Sequence, residues 1–478
     1  MKYTVERSKK MKLSIIPAPY QTEYLNGFTK ADAETSFYED ANLPRDGFVI
    51  HIDGDIKIGA SSQSGLFYAN NTLEMIKFQC GQNLPNVHIR DIPKYTYRSF
   101  MIDSCRHFFN IRDIKKMIDY CAKMRFNVFH WHLTDDQGWR IQINSYPVLT
   151  DTGSVRKGSN FGEEQNDIPY GGFYTQEEIR DIVSYAHKNH MTVVPEIDMP
   201  GHTSALLASL PDLVCNKKQV EIKTEAGIFK DIICAGNDDN YDTLYDILDE
   251  VCSLFPDEYI HIGGDEAPKE QWKNCPCCQK KMKDENLSNE EELQGYFINR
   301  INSYLRSKGK KVITWNESLN GGNLCENITV QMWMDPKKRS KESKNKIINS
   351  DFFHMYADYP YEMTPLKKVY EYNTDINDNV IGTDIPIWTE YIPDLEKMEY
   401  MCFPRFIAAA QSAWSINKPS YNVFRTELSE IIPFFGFGNA AQKEKWDPVK
   451  ITRLRKVIIH FGSISKNERI REFFLNKK

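Results

Sequence analysis

Residues 261–266 read HIGGDE, a strand-like run, YIHI, that passes through two glycines into the adjacent carboxylates Asp265 and Glu266. Like charges side by side repel and lose hydration when buried, so such a pair ordinarily sits on a solvated turn. Successive residues of a regular strand point opposite ways, and both acids can reach one substrate only where the strand ends and the backbone bends. Gly263 and Gly264 permit that bend. Two carboxyl groups flanking one bond are what glycosidic cleavage uses: one protonates the leaving oxygen and the other stabilises the positive anomeric carbon.

Other polar residues follow apolar runs in the same way: Asp103 and Arg106, Asp135 and Asp136, Glu196 with Asp198 and His202, then Glu317, Asp358 and Glu390. Four of the eight tryptophans, Trp139, Trp315, Trp333 and Trp388, fall at or just beyond such run ends. Flat aromatic faces suit the C–H faces of a sugar ring and can wall off a methyl group, while acids and Arg106 can hydrogen-bond hydroxyls. A sugar is therefore the expected ligand.

The elements that must position these residues come in a repeating pattern. Eight apolar runs, RSFMID, NVFHWHL, TVVPEID, YIHIGGD, KVITWNE, ITVQMWM, FHMYAD and IPIWTEY, alternate with amphipathic helices. Ile114, Met117, Ile118 and Cys121 share one helical face; Thr175 with Glu178, and Ser288 with Glu291, read as capping boxes, and Gly309 as a helix stop. Eight strands alternating with helices fit an α/β chain, a (β/α)8 TIM barrel, whose active face lies at the C-terminal ends of the strands. The expected domains are a small α+β domain over 1–92, the barrel over 93–440, and a C-terminal helical extension over 441–478 containing PVKITRLRKVIIHF. In the first domain GFVIHIDGDIKIGA alternates as strands do, and Leu66, Phe67, Ala69, Leu73 and Ile76 make a helical face.

Composition narrows the partners. The 478 residues are 41% apolar, 26% charged and 12% aromatic, with formal charge -6, which argues for a globular chain and against a nucleic-acid polyanion. No apolar run reaches membrane-spanning length, and the N-terminal LSIIPA is short and broken by Pro17. Eleven cysteines, an odd number, are not spaced as a disulfide framework. A cytoplasmic enzyme is expected, or a secreted one whose leader has been trimmed. Cys275, Cys277 and Cys278 hold one C-x-x-C pair with neither a second pair nor a histidine pair nearby, so the expectation is free thiols in a loop, no metal and no cofactor.

Taken in order, these stretches resemble glycoside hydrolase family 20, the β-N-acetylhexosaminidases, whose H-x-G-G-D-E stands here as HIGGDE. The resemblance runs through YRSFMIDSCRHFF, NVFHWHLTDDQGWR, VPEIDMPGH, ITWNES, VQMWMD, MYAD, IPIWTEY and FPRFIAAAQSAWS, and the small domain with GLFYANNTLEMI is similar to the one preceding the barrel in the family. It implies Glu266 as general acid/base and Asp265 as the group that orients and charge-stabilises the substrate's own 2-acetamido group, whose carbonyl oxygen attacks the anomeric carbon. It also implies Arg106 for the 3- and 4-hydroxyls, and Trp315, Trp333 and Trp388 as an acetamido pocket with Tyr356 donating to its carbonyl oxygen. Asp358 and Glu390 would add polar contacts, and His202 with Asp135 or Asp136, Asp135 being favoured, a relay behind the acid. The implied partner is a glycan with a terminal N-acetylhexosamine. Gln411 stands where the family commonly has an acid, on a helix expected behind the barrel. Two rivals remain: a conventional two-carboxylate glycosidase with Glu317 or Glu390 as nucleophile, and a sugar-binding protein without turnover.

Overall fold

The computed structural model describes residues 12–162, 164–437 and 446–448. They fall into two compact units. The first comprises residues 12–94 with 123–125 and 410–437. Its five-stranded sheet is built from β1 (Gln21–Lys30), β2 (Thr35–Glu39), β3 (Phe48–Asp53), β4 (Asp55–Ala60) and β5 (Asn83–Asp91), in the order β1-β5-β3-β4-β2. The alternation expected from the sequence is there in part: Ile50 and Ile52 are fully buried and Asp53 is exposed, but Val49 is buried as well. Helix α1 (Gln63–Cys80) is capped by the Ser62 hydroxyl, which accepts from the Gly65 N–H, and buries Tyr68, Ala69, Thr72, Leu73 and Ile76. Leu66 and Phe67, expected on that face, are only half-buried, because the stripe is set by Tyr68 and Thr72 one turn apart.

The second unit comprises residues 95–122, 126–162, 164–409 and 446–448 and contains a closed barrel of eight parallel strands with helices between them, a TIM barrel. Its strands are β6 (Tyr97–Asp103), β7 (Val128–His132), β8 (Thr192–Glu196), β9 (Tyr259–His261), β10 (Lys311–Trp315), β11 (Thr329–Met332), β12 (Ile347–Asn349) and β13 (Val380–Ile387), each paired with its neighbours in sequence and β13 with β6. Alternation inside the barrel makes layers. Tyr97, Val128, Val194, Ile313 and Ile348 form an apolar layer. Two residues further along β7 and β8 come His130 and Glu196, and the register sets Asp103, His132, Glu196 and His261 level with one another.

Three sequence expectations are corrected. The seventh strand is Ile347–Asn349, and FHMYAD lies after it in turns, so Tyr356 and Asp358 sit on a loop beyond the strand end. The true strand is three buried residues behind a lysine-rich stretch, too short to show a period. Asn289, not Ser288, caps the helix Glu290–Ser307: its side chain accepts from the Glu291 and Glu292 N–H groups, leaving Glu292 to accept from the Ser288 N–H. The cysteines Cys275, Cys277 and Cys278 are not in a loop. Cys275 caps the helix Pro276–Asp284 and the other two lie in its first turn. The Thr175–Glu178 capping box is present on both sides. The helix expected over 448–461 lies outside the described residues, apart from Pro448. No helix among the described residues is long and apolar enough to cross a membrane.

Candidate active site

The opening glycines have a specific reason. Gly263 (φ +64°) and Gly264 (φ +99°) turn the chain sharply after β9, and a Cβ on Gly263 would lie 1.6 Å from Asp198 Oδ1, while one on Gly264 would lie 2.6 Å from Thr314 Oγ1. The Gly264 N–H donates to Asp198 Oδ1 at 3.1 Å. Glu266 itself is left-handed, φ 42°, a conformation that costs a non-glycine residue on the order of 1–3 kcal/mol. This bend brings Asp265 and Glu266 to one histidine. His202 Nε2 lies 3.8 Å from Asp265 Oδ2 and 3.6 Å from Glu266 Oε2, and its Nδ1 lies 3.2 Å from Asp135 Oδ1 and 3.1 Å from Asp136 Oδ2. The two candidate relay acids thus both touch His202. They differ elsewhere: Asp135 is also held by Arg106 (2.7 Å) and His132 (2.9 Å), whereas Asp136 accepts from Ser204.

Electrostatics separate the acids. Burial alone would depress His202, but Asp135 and then Asp136 hold it well above the ordinary histidine range, so it carries a proton at neutral pH. Burial pushes Asp265 up to about 6, with His202 pulling against it. Burial and then the Asp265 charge push Asp198 well above the carboxylate range. Glu317 is pushed up to about 8 by burial and by Asp265, while both of its oxygens accept from Trp333 Nε1, at 3.0 and 2.9 Å. At neutral pH Asp265 is therefore ionised and Glu317 keeps its proton, while burial and the Asp265 charge favour the protonated form of Asp198.

Aromatic rings line the adjoining space. The Trp315 and Trp388 centroids are 6.1 Å apart, Trp388 and Tyr356 6.4 Å, and Tyr356 and Trp333 6.2 Å. The Arg106 guanidinium lies 4.9 Å from the Trp388 ring, donates to Asp103 (3.2 Å) and Gln137 (2.9 Å), and stands 3.9 Å from Glu390. Asp358 is pushed well above its usual range by burial and by Glu390. Among the described residues, His202 Nε2, Asp265 Oδ1 and Asp358 Oδ1 are buried without a hydrogen-bond partner, an arrangement that favours a polar ligand. Trp139 does not join the wall: it is buried and donates to the Ile141 carbonyl. Gln411 lies in the first unit and accepts from the Ala18 N–H.

Sequence reasoning named Glu196 among the residues of the mouth but did not find the histidines that gather around it in the layer beneath. Glu196 bonds His130 (3.1 Å), His132 (2.5 Å) and His261 (3.0 Å), and accepts from Trp315 Nε1 at 2.7 Å. Burial works against its charge, but His261 and His132 hold it well below the usual range. The path Glu196–His132–Asp135–His202 thus runs from the barrel interior to Glu266. The signal was visible in HWH and PEID, as histidines and an acid inside runs that should be apolar. These mixed clusters have the spacing of metal ligands, yet their histidines and Arg106 already answer the acids' charge.

A four-sulfur cluster away from the mouth corrects the cysteine reading. Cys215, Cys234, Cys275 and Cys278 converge, their sulfurs within 4.8 Å of one another. The missing partners of the C-x-x-C pair come as two isolated cysteines, which a search for paired spacings passes over.

Known families give this geometry its context. The model of glycosyl hydrolase family 20, catalytic domain, matches residues 95–417, and that of the family's domain 2 matches 29–92. The chain belongs to glycosyl hydrolase family 20. It is 38% identical over 404 residues to a beta-hexosaminidase of Porphyromonas gingivalis, an alignment covering 78% of this chain and 51% of that protein, so the chain spans about half of that relative's length. The crystal structure of a beta-N-acetylhexosaminidase from Bacteroides fragilis superposes with a TM-score of 0.79 at 30% identity, covering 91% of this chain and 99% of that one. A family 20 exo beta-N-acetylglucosaminidase from Vibrio harveyi, in complex with N-acetylglucosamine, gives 0.80 at 26%, covering 91% and 79%.

Proposed function

We propose that this enzyme is an exo-acting β-N-acetylhexosaminidase that removes terminal, non-reducing β-linked N-acetylglucosamine or N-acetylgalactosamine with retention, the substrate's acetamido group acting as nucleophile. The observation that carries this reading is the aromatic enclosure of Trp315, Trp388, Tyr356 and Trp333 beside an ionised Asp265 with an unpartnered oxygen. A methyl group fits between the rings, Tyr356 donates to the acetamido oxygen, and Asp265 accepts its N–H. As the oxygen attacks the anomeric carbon to close an oxazolinium ring, Asp265 offsets the growing positive charge. Glu266 gives its proton to the leaving oxygen and later takes one from water, with protonated His202 and Asp135 or Asp136 behind it. Arg106, Asp358 and Glu390 hold ring hydroxyls.

The conventional rival needs a second ionised carboxylate as nucleophile. Glu317 fits that role poorly, being protonated at neutral pH and turned with both oxygens onto Trp333. Nitrophenyl β-N-acetylglucosaminide, β-N-acetylgalactosaminide and β-glucoside, assayed together with a thiazoline mimic of the oxazolinium ring, test the proposal. Turnover of both N-acetylated sugars far above the glucoside, with tight thiazoline inhibition, is expected. Comparable rates on the glucoside, or a covalent 2-fluoroglycosyl adduct on Glu317 or Glu390 seen by mass spectrometry, would overturn it.

A further inference from the structure

The four cysteines that gather outside the mouth come from two separate segments of the chain. Cys215 and Cys234 belong to the segment between β8 and the helix Asp239–Leu254, the segment that also carries His202. Cys275 and Cys278 belong to the start of the helix Pro276–Asp284, shortly after Asp265 and Glu266. The sulfurs of Cys215 and Cys278 are 3.9 Å apart, those of Cys234 and Cys275 3.7 Å, and those of Cys234 and Cys278 3.6 Å. A tetrahedron of sulfurs about a zinc ion, with Zn–S of about 2.3 Å, has edges of about 3.8 Å. A disulfide would need about 2.05 Å between two sulfurs and would leave the other two outside. All four are free thiols.

The surroundings are built to hold this cluster. A Cβ on Gly236 would lie 2.3 Å from the Cys277 carbonyl and the Cys278 nitrogen, so the loop and the helix start touch backbone to backbone where only glycine fits. The Cys234 N–H donates to the Leu213 carbonyl, and Asn240 Nδ2 ties the Leu213 and Cys234 carbonyls together. Cys275 sits at the N-cap of the helix Pro276–Asp284 and Cys278 in its first turn, where backbone N–H groups favour negative charge. Three of the four side chains are buried.

We propose that Cys215, Cys234, Cys275 and Cys278 form a tetrahedral thiolate site for one zinc ion, which pins the loop following His202 to the segment following Asp265 and Glu266. On binding, each thiol gives its proton to solvent and the sulfur takes a coordination position. The link to the mouth is short. The Ile233 N–H beside Cys234 donates to the Pro200 carbonyl, two residues before His202, and Trp272 Nε1 near Cys275 donates to the Ile233 carbonyl. The ion is a structural clamp with a closed coordination shell, and the reaction does not pass through it.

Elemental analysis of the enzyme purified under reducing conditions, without metal-affinity resin, should find about one zinc ion per chain. Exchange with cobalt(II) should produce the intense near-ultraviolet sulfur-to-cobalt band and the visible bands of a tetrahedral centre. Cys234→Ser and Cys278→Ser should lose both signals, whereas Cys277→Ser, whose exposed sulfur lies outside the cluster, should keep them. A strong chelator should lower the Tm of the wild-type chain, and added zinc should restore it. If the cysteine variants fail to fold, the wild-type cobalt spectrum still decides. Absence of zinc together with no charge-transfer band after reduction and cobalt addition would overturn the proposal. So would undiminished zinc in Cys234→Ser, iron in place of zinc, or thiol counts showing these cysteines paired as disulfides.

Discussion

Asp91 and Asp265 are both nearly excluded from solvent, at 0% and 8% exposure, and they are embedded in opposite ways. Asp91 closes β5 and has every acceptor used: Oδ1 takes hydrogen bonds from Trp414 Nε1 and the Tyr20 N–H, both at 3.0 Å, and Oδ2 pairs with an Arg125 nitrogen at 2.5 Å. The other Arg125 terminal nitrogen donates to Thr72 at 2.7 Å. Asp265 has one oxygen without a partner and the other 3.8 Å from His202. A buried acid that is fully answered by its own chain holds the fold. One that is left short raises the energy of the folded state and is kept for something else. The two regions should therefore respond to equivalent changes in opposite currencies, stability for the first and turnover for the second.

The largest effect falls on the neighbour of Asp265. Glu266→Gln removes the proposed proton donor, a side chain that is 30% exposed and has little role in the fold, so stability should hold. Its kcat should drop by about 10²- to 10⁴-fold, most on substrates with poor leaving groups. Steady-state rates on alkyl and nitrophenyl N-acetylglucosaminides check this, and an equal loss on both would argue against Glu266 as the acid. In the satisfied region the corresponding change is Arg125→Met, which leaves Asp91 buried without its cation. Urea unfolding should show a loss of about 3–5 kcal/mol, with kcat per folded molecule unchanged.

Asp265→Asn sharpens the contrast, because both readouts move and in opposite directions. Removing a charge that acts mainly in the transition state should cost about 10²- to 10³-fold in kcat. Stability at neutral pH should rise. The carboxyl goes from 3.8 to about 6 on folding, so the folded state holds its proton more tightly, and stability present below the unfolded value is lost as pH rises through the folded one. The Asn variant should gain about 1–3 kcal/mol over the wild type at pH 7, and the gain should vanish below about pH 4. Thermal unfolding across that pH range is the measurement, and a destabilised Asn variant would place Asp265 with Asp91 among the structural acids.

Legibility followed the same division. The barrel was readable because strand runs of five or more residues, such as NVFHWHL and TVVPEID, carry an apolar period that only burial explains. The seventh strand was not, since Ile347–Asn349 is three residues behind a lysine-rich stretch and the aromatic run after it imitates a strand, whereas the equally short Tyr259–His261 was marked by the glycines and paired acids that follow it. At the mouth the residues that break a local rule stood out: paired acids after glycines, and tryptophans at run ends. What stayed hidden depends on long-range convergence. No spacing joins Glu196 to Trp315, or Cys215 and Cys234 to the Cys275–Cys278 pair, until the loops are folded against one another. Trp139 misled for the converse reason, sharing the run-end position of the others while its indole N–H serves the backbone carbonyl of Ile141, two residues on.

The smallest effect uses one substitution in both regions. Trp333→Phe keeps a ring that can stack on Tyr356 but removes the N–H that both Glu317 oxygens accept. Losing one such bond beside a partly exposed carboxyl costs about 0.5–1.5 kcal/mol, a loss in kcat/KM of roughly 2- to 10-fold, and it should appear mainly in KM because the wall of the pocket shifts while the acids stay in place. Trp414→Phe removes the same N–H from Asp91, where the acceptor is a fully buried charge. There the cost should be about 1.5–3 kcal/mol of folding stability, with KM unmoved. Measuring both variants by denaturation and by steady-state kinetics gives four numbers with a required pattern. If Trp333→Phe instead loses stability and leaves KM alone, the indole is part of the scaffold, and the acetamido pocket must be drawn from Trp315, Trp388 and Tyr356 without it.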